Sequence, residues 1–166
     1  YDGDNLSFGG AGGKATVDAV SSGDALGGQN SQKNAFQFGV NVNENSNPFT
    51  IHAKVETPFN GAAPLPGQSY GIYIGNGDQD NYLKVALMDG ISSGDNIYGF
   101  EIINEINGSN NTFNFDTPGL LQAAGVDLYI SIDPVSNSAQ VFYSFNSGLD
   151  VLPLGGAQTL ATSFLS

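Results

Sequence analysis

The sequence predicts an all-β domain built as a two-sheet antiparallel sandwich with at most one short helix. Three observations predict it. Apolar side chains recur at every second position through several stretches, the pattern of strands with one buried and one solvated face. Clusters of Asn, Gly, Asp, Ser and Pro separate those stretches at short intervals, as turns do. Only residues 118–124 carry helix boundary signals, with Pro118 suited to a first turn, Thr117 or Asp116 placed to cap it and Gly125 placed to end it.

In chain order, a first strand is expected at 15–20. Residues 35–42 put Phe36, Phe38, Val40 and Val42 on one face, and residues 49–55 do the same with Phe49, Ile51, Ala53 and Val55. The Asn-rich stretch 43–48 is the turn between them. Residues 70–75 and 82–88 form the next pair, joined by turn formers, and a longer strand is expected at 97–106. Strands at 126–132 and 139–145 flank Asp133-Pro134-Val135-Ser136-Asn137-Ser138, a hairpin with a long loop. A last strand is expected near 160–164. A chain of 166 residues buries roughly two-thirds of its unfolded surface. Residues 1–166 therefore read as one domain with a sufficient core of its own. Its first 34 residues, with eight glycines, read as a loose N-terminal segment.

Sixteen Asp and Glu stand against four Lys and no Arg, a formal charge of −12. Nucleic-acid binding needs cations tracking a phosphate backbone and draws on the bidentate fork of Arg. Lys14, Lys33, Lys54 and Lys84 are scattered, so nucleic acid is not an expected partner. An anionic membrane surface is disfavoured for the same reason. No apolar run has the length of a membrane helix, so no membrane insertion is expected. Cysteine is absent, which rules out a disulfide framework and a thiolate site. An acidic, cysteine-free chain rich in Asn, Gly and Ser has the composition of bacterial surface and secreted proteins. The expected location is extracellular or at the cell surface. No signal segment opens the chain, and Tyr1 in place of Met is expected of a processed start.

Tyr70-Gly71-Ile72-Tyr73-Ile74-Gly75-Asn76-Gly77-Asp78-Gln79-Asp80-Asn81-Tyr82-Leu83-Lys84-Val85 resembles a hairpin of the concanavalin A-like, laminin G-like jelly-roll domains. These recur in bacterial surface proteins and beside glycoside hydrolases. Asp127-Leu128-Tyr129-Ile130-Ser131-Ile132-Asp133, followed by Ala139-Gln140-Val141-Phe142-Tyr143, resembles a later hairpin of the same domains. The resemblance runs from Phe36 onward and implies a jelly-roll fold. It leaves activity open, because function lives in sites and not in folds. Domains of this kind usually continue past the point matching Ser166 with a further strand, often near a Trp. This chain has no Trp and closes on Thr159-Leu160-Ala161-Thr162-Ser163-Phe164-Leu165-Ser166. The resemblance then implies that the glycine-rich start supplies the missing pairing, or that one sheet keeps an open edge, which invites another chain.

Four candidate chemistries follow from the residues. Laminarinase-like glycosidases share the jelly roll and carry two catalytic Glu on one strand with an Asp midway. In Glu101-Ile102-Ile103-Asn104-Glu105 the midpoint is Ile103. Four residues of strand span roughly 13 Å, against about 5–10 Å between paired glycosidase carboxylates. Glu101 and Glu105 are expected to line a solvated strand face, and the chain is not expected to be an enzyme. Asp78-Gln79-Asp80-Asn81 offers clustered oxygens of the kind calcium takes, with Asp78 and Asp80 as ligands. The same residues are those of a tight turn, and both readings stand. Asp2-Gly3-Asp4-Asn5 is a weaker copy of the pattern.

Tyr73, Tyr129 and Phe142 fall out of phase with the most apolar positions of their strands. They face a groove, where an aromatic ring can stack on a sugar, or they are covered by a loop. His52, the single histidine, alternates with core residues and points outward beside Thr50 and Lys54. No second His or Cys completes a zinc site, and no Gly-x-Ser-x-Gly elbow occurs.

Two functions of different class fit. The first is a non-catalytic extracellular carbohydrate-binding module whose partner is a polysaccharide or glycan, with calcium as its cofactor if the 78–81 loop holds the ion. The alternative is a structural module of a surface adhesin or extracellular filament, whose partners are copies of itself joined by strand pairing. Such a head-to-tail contact propagates.

Overall fold

A computed structural model describes residues 6–9, 13–17, 21–33, 35, 37, 39–59, 61–62, 65, 67–89 and 98–165. Among these residues the chain forms β1 (Leu6–Gly9), β2 (Lys14–Val17), β3 (Phe49–Glu56), β4 (Ser69–Gly75), β5 (Tyr82–Asp89), β6 (Tyr98–Ile106), β7 (Ser109–Asp116), β8 (Gly125–Asp133), β9 (Ser138–Ser144) and β10 (Leu152–Thr159). β1 and β2 pair only with each other. The first large sheet has the order β10-β9-β8-β3, and the second has the order β4-β5-β6-β7. Every pairing is antiparallel. The architecture is the all-β, two-sheet antiparallel sandwich. The chain leaves the first sheet after β3, builds the whole second sheet as a meander, and returns to lay β8 beside β3.

Register decides which residues share a face, because directly opposed residues point to the same side of the sheet. Ile51, Ile130, Val141 and Leu154 stand in one row across the first sheet. Ile72, Val85, Ile102 and Phe113 stand in one row across the second. These faces meet, and Val85, Ile102, Ile130 and Val141 are fully buried between them. Each such side chain contributes about 1.5–3 kcal/mol on burial.

The segment 118–124 makes a 3-10 helix at Pro118–Gln122, with Leu120 buried beneath it. No strand forms at 160–164. Asn137 Nδ2 donates to Leu160 O at 2.9 Å, and Leu160 N–H donates back to Asn137 O at 3.0 Å. These bonds clamp the chain to the β8–β9 loop instead of a sheet edge, and a 3-10 helix follows at Thr162–Leu165. The expected strand at 35–42 is also absent among its described residues, and Val40 is 57% exposed. Phe36 and Phe38 lie outside the described residues. The first 17 residues fill no strand position in either large sheet among their described members; β1 and β2 make their own hairpin. That hairpin meets the sandwich through an ion pair between Lys14 and Glu56, which holds the Glu56 carboxyl below its ordinary pKa. Among the described residues, no helix is long and apolar enough to cross a membrane.

Candidate functional site

The outer face of the first sheet carries a continuous row of rings. Strand register sets His52 opposite Tyr129, Tyr129 opposite Phe142, and Phe142 opposite Pro153. Opposed Cβ atoms in an antiparallel pair lie about 4.5–5.5 Å apart, so the four side chains adjoin across all four strands. The His52 ring lies flat on Tyr129, with centroids 4.4 Å apart and planes 11° apart. His52 and Pro153 at the ends of the row are exposed, and Tyr129 and Phe142 are half-buried. Thr50, Ser131 and Gln140 form the polar row on one side. Thr50 Oγ1 donates to Ser131 Oγ at 3.2 Å.

Lys54, Asp127 and Ser144 form the row on the other side. Asp127 is buried. Its Oδ1 accepts a hydrogen bond from His52 Nε2 at 2.7 Å, and its Oδ2 has no hydrogen-bond partner among the described residues. Partial desolvation raises the Tyr129 phenol pKa, and the Asp127 charge adds to the rise. This bond fixes the imidazole over Tyr129. Ser144 Oγ donates to Asn146 Oδ1 at 2.8 Å and accepts from Asn146 N–H and Gly148 N–H. Ser144 therefore closes its own loop. Gly148 sits at φ +83°, and a Cβ there would stand 3.0 Å from Tyr129 Oη. A residue without a side chain lets the loop pass beside the ring.

The outer face of the second sheet is different, because residues of the N-terminal segment lie over it. Gly27 N–H donates to Glu105 Oε2 at 2.9 Å. The Tyr82 hydroxyl lies 3.2 Å from Glu105 Oε2 and 3.3 Å from Ala25 O. Asn30 Nδ2 donates to Asp80 Oδ1, and Gln32 N–H donates to Gln79 Oε1. Glu101 and Glu105 do not line a solvated face as expected: both are buried, Glu105 beneath this covering. Glu105 is 0% exposed, and Glu101 pairs with Lys84 Nζ at 3.0 Å. Burial and the neighbouring Glu105 carboxyl push the Tyr82 phenol pKa well up. Tyr73 belongs to this covered face, where its hydroxyl donates to Gln37 Oε1 at 2.9 Å. The structure thus brings Tyr129 and Phe142 together and places Tyr73 on the opposite side of the sandwich.

Asp78 and Asp80 stand in the β4–β5 loop. Asp78 accepts from Asn76 Nδ2, Asp80 N–H and Asn81 Nδ2. Burial opposes the ionised form, but these donors prevail and hold the Asp78 carboxyl below its ordinary pKa. Asp80 Oδ1 accepts from Asn30. The bonds shown are those of a closed turn. Among the described residues, no group of three or more His, Cys, Asp or Glu converges as a metal site. Asp2 and Asp4 lie outside the described residues.

The sequence put Tyr73, Tyr129 and Phe142 out of phase with the apolar positions, facing a groove or covered by a loop, and pointed His52 outward; it did not show that His52, Asp127 and Pro153 adjoin Tyr129 and Phe142. The signal was present for two of these. His52 shares its phase with Thr50 and Lys54, and Asp127 precedes Tyr129 by two residues on one face. No protein-family model and no curated protein matches the chain.

Proposed function

We propose that this chain is a non-catalytic carbohydrate-binding module of the extracellular space or cell surface, and that the outer face of the first sheet is its platform. One observation carries the reading: the register-locked row His52–Tyr129–Phe142–Pro153 with hydroxyl and amide side chains beside it. Flat rings offer stacking area to the apolar face of a sugar, and Thr50, Ser131 and Gln140 offer polar partners to its hydroxyls. A row across four strands suits an extended polysaccharide better than a single small molecule. The acidic surface favours a neutral glycan over an anionic one. The resemblance to concanavalin A-like domains supports the same reading. In this reading calcium plays no direct part, because Asp78 and Asp80 stand in the β4–β5 loop, on the other sheet from the platform.

Affinity electrophoresis through neutral polysaccharides, with and without chelator, tests this. Retardation should survive the chelator and fall on the order of tenfold to a hundredfold in Tyr129→Ala/Phe142→Ala, about 1.4 kcal/mol for each tenfold step. Equal retardation of the double variant and the parent would refute the platform.

A second reading is favoured by the β9–β10 loop, which exposes Phe145, Leu149 and Val151 beside the exposed Leu152 that opens the edge strand β10. Exposed apolar clusters mark contact surfaces. In that reading the chain is a structural module of an adhesin or filament whose partner is another copy of itself. Sedimentation over a concentration series tests it, and a monomer throughout would refute it.

A further inference from the structure

A second concave site lies at the sandwich edge where β7 and β10 face each other, away from the platform row. It is a cleft of about 470 Å³, within the range of small-ligand pockets (about 300–1,000 Å³). The cleft exists because β10 leaves its partner there. Between the pairs Leu154–Val141 and Gln158–Ala139, β10 inserts Gly155, Gly156 and Ala157 opposite the single residue Gln140. Gln140 Nε2 points at the bulge and donates to Leu154 O and Gly155 O. Gly155 has φ +65°, and a Cβ there would stand 2.8 Å from Phe115 Cζ, so only glycine fits against that ring.

Three features of the lining define a ligand. Asn104, on the inner face of β6, is 5% exposed; its Nδ2 donates to Thr159 O at 2.8 Å, and its Oδ1 has no hydrogen-bond partner among the described residues. That acceptor has almost no accessible surface, so Asn104 makes the floor of the cleft polar without itself reaching a ligand. Phe113, on β7, presents a ring that is 41% exposed, beside the partly buried Phe115. Asn111 and Gln158 add amides. The lining contains no ionisable side chain. An anion finds no cation there and a metal ion finds no carboxylate. A purely apolar ligand would strip water from the Asn111 and Gln158 amides without replacing its hydrogen bonds. A neutral polyhydroxylated ring suits this lining, with its apolar face on Phe113 and its hydroxyls toward the Asn111 and Gln158 amides.

We propose that the β7–β10 cleft is a second saccharide site that takes one or two rings of a neutral sugar, distinct from the platform. The proposal borrows its ligand class from the carbohydrate reading, but the cleft lining holds none of the four rings of the platform row, so the two fail separately. The test is a titration of the ¹⁵N-labelled full chain with cellobiose, laminaribiose, maltose and mannobiose. The side-chain amide signals of Asn104, Asn111 and Gln158 are followed.

Saturable shifts at those signals with at least one disaccharide are expected. Phe113→Ala should weaken that binding about tenfold, Phe113→Tyr should retain it, and Tyr129→Ala/Phe142→Ala should leave it unchanged. Because Phe113 is partly exposed, its replacement should leave the backbone spectrum folded, and the Phe113→Tyr variant controls for a structural effect. The absence of saturable cleft shifts, or shifts equal in Phe113→Ala and the parent, would overturn the proposal. So would concentration-dependent cleft shifts without sugar, which would assign the cleft to a neighbouring copy of the chain.

Discussion

The outer faces of the two sheets arise from the same strand alternation and end in opposite states. On the second sheet, residues 25–32 bond to Tyr82, Gln79 and Glu105, and Tyr82, Ile103 and Glu105 are buried. On the first sheet, His52, Tyr129, Phe142 and Pro153 keep exposed or half-exposed surface. A covered face is constrained by the packing and hydrogen bonds beneath it, so its residues act on stability. An open face keeps surface to spend on a ligand, so its residues act on binding. The contrast separates Tyr73 from Tyr129, although both are tyrosines out of phase with the apolar positions of their strands.

The largest expected effect lies on the covered face. Ile103 is 2% exposed, so Ile103→Asp places an unpaired carboxylate beside Glu101 and Glu105. It should cost about 3–5 kcal/mol, read as a lowered urea midpoint. The same change at Ser131 on the open face should stay within about 0.5 kcal/mol. Comparable losses at both positions would break the contrast.

Alkaline titration sharpens it. Burial raises the Tyr70 phenol from 10.0 to about 12, and Tyr82 is raised strongly by burial and Glu105. A folded pKa above the unfolded value gives stability that is complete below the unfolded pKa of 10.0 and is lost as pH rises through the folded one. Stability should therefore hold to about pH 10 and then decline, less steeply in Tyr70→Phe. Tyrosinate absorbance should show Tyr129 ionising before Tyr82, checked by difference against Tyr129→Phe and Tyr82→Phe.

A smaller effect belongs to Gly148. Gly148→Ala meets both a positive φ and the Tyr129 hydroxyl, and should cost about 1–2 kcal/mol. It should also weaken glycan retention by displacing the ring. Loss of stability with full retention would show that the loop does not set the platform.

The smallest is at the exposed Lys14–Glu56 pair. The lowered Glu56 pKa means the contribution is present above the ordinary carboxylate range and fades as pH falls through the folded value. Lys14→Ala should leave neutral-pH stability nearly unchanged, while making the acid limb of the stability curve shallower.

Strands with strong alternation were legible residue by residue. β3, β4, β5, β6, β8 and β9 fall on the expected strands 49–55, 70–75, 82–88, 97–106, 126–132 and 139–145. β7, Ser109-Asn110-Asn111-Thr112-Phe113-Asn114-Phe115-Asp116, and β10, with Pro153 and Gly155-Gly156, were not. Both are edge strands, and edges tolerate Pro, Gly and polar residues because half of their backbone needs no partner. The cleft between them was hidden for the same reason.

Local alternation decided that the protein is all-β and that Tyr129 and Phe142 leave the core, since a strand alternates its side chains whatever surrounds it. Tertiary structure alone decided that Glu105 is buried while His52 is exposed, that 35–42 does not pair as a strand among its described residues, and that β10 bulges away from β9. Period two tells which residues share a face. What covers that face depends on contacts between residues far apart in sequence, such as Gly27 with Glu105, and no local pattern encodes those.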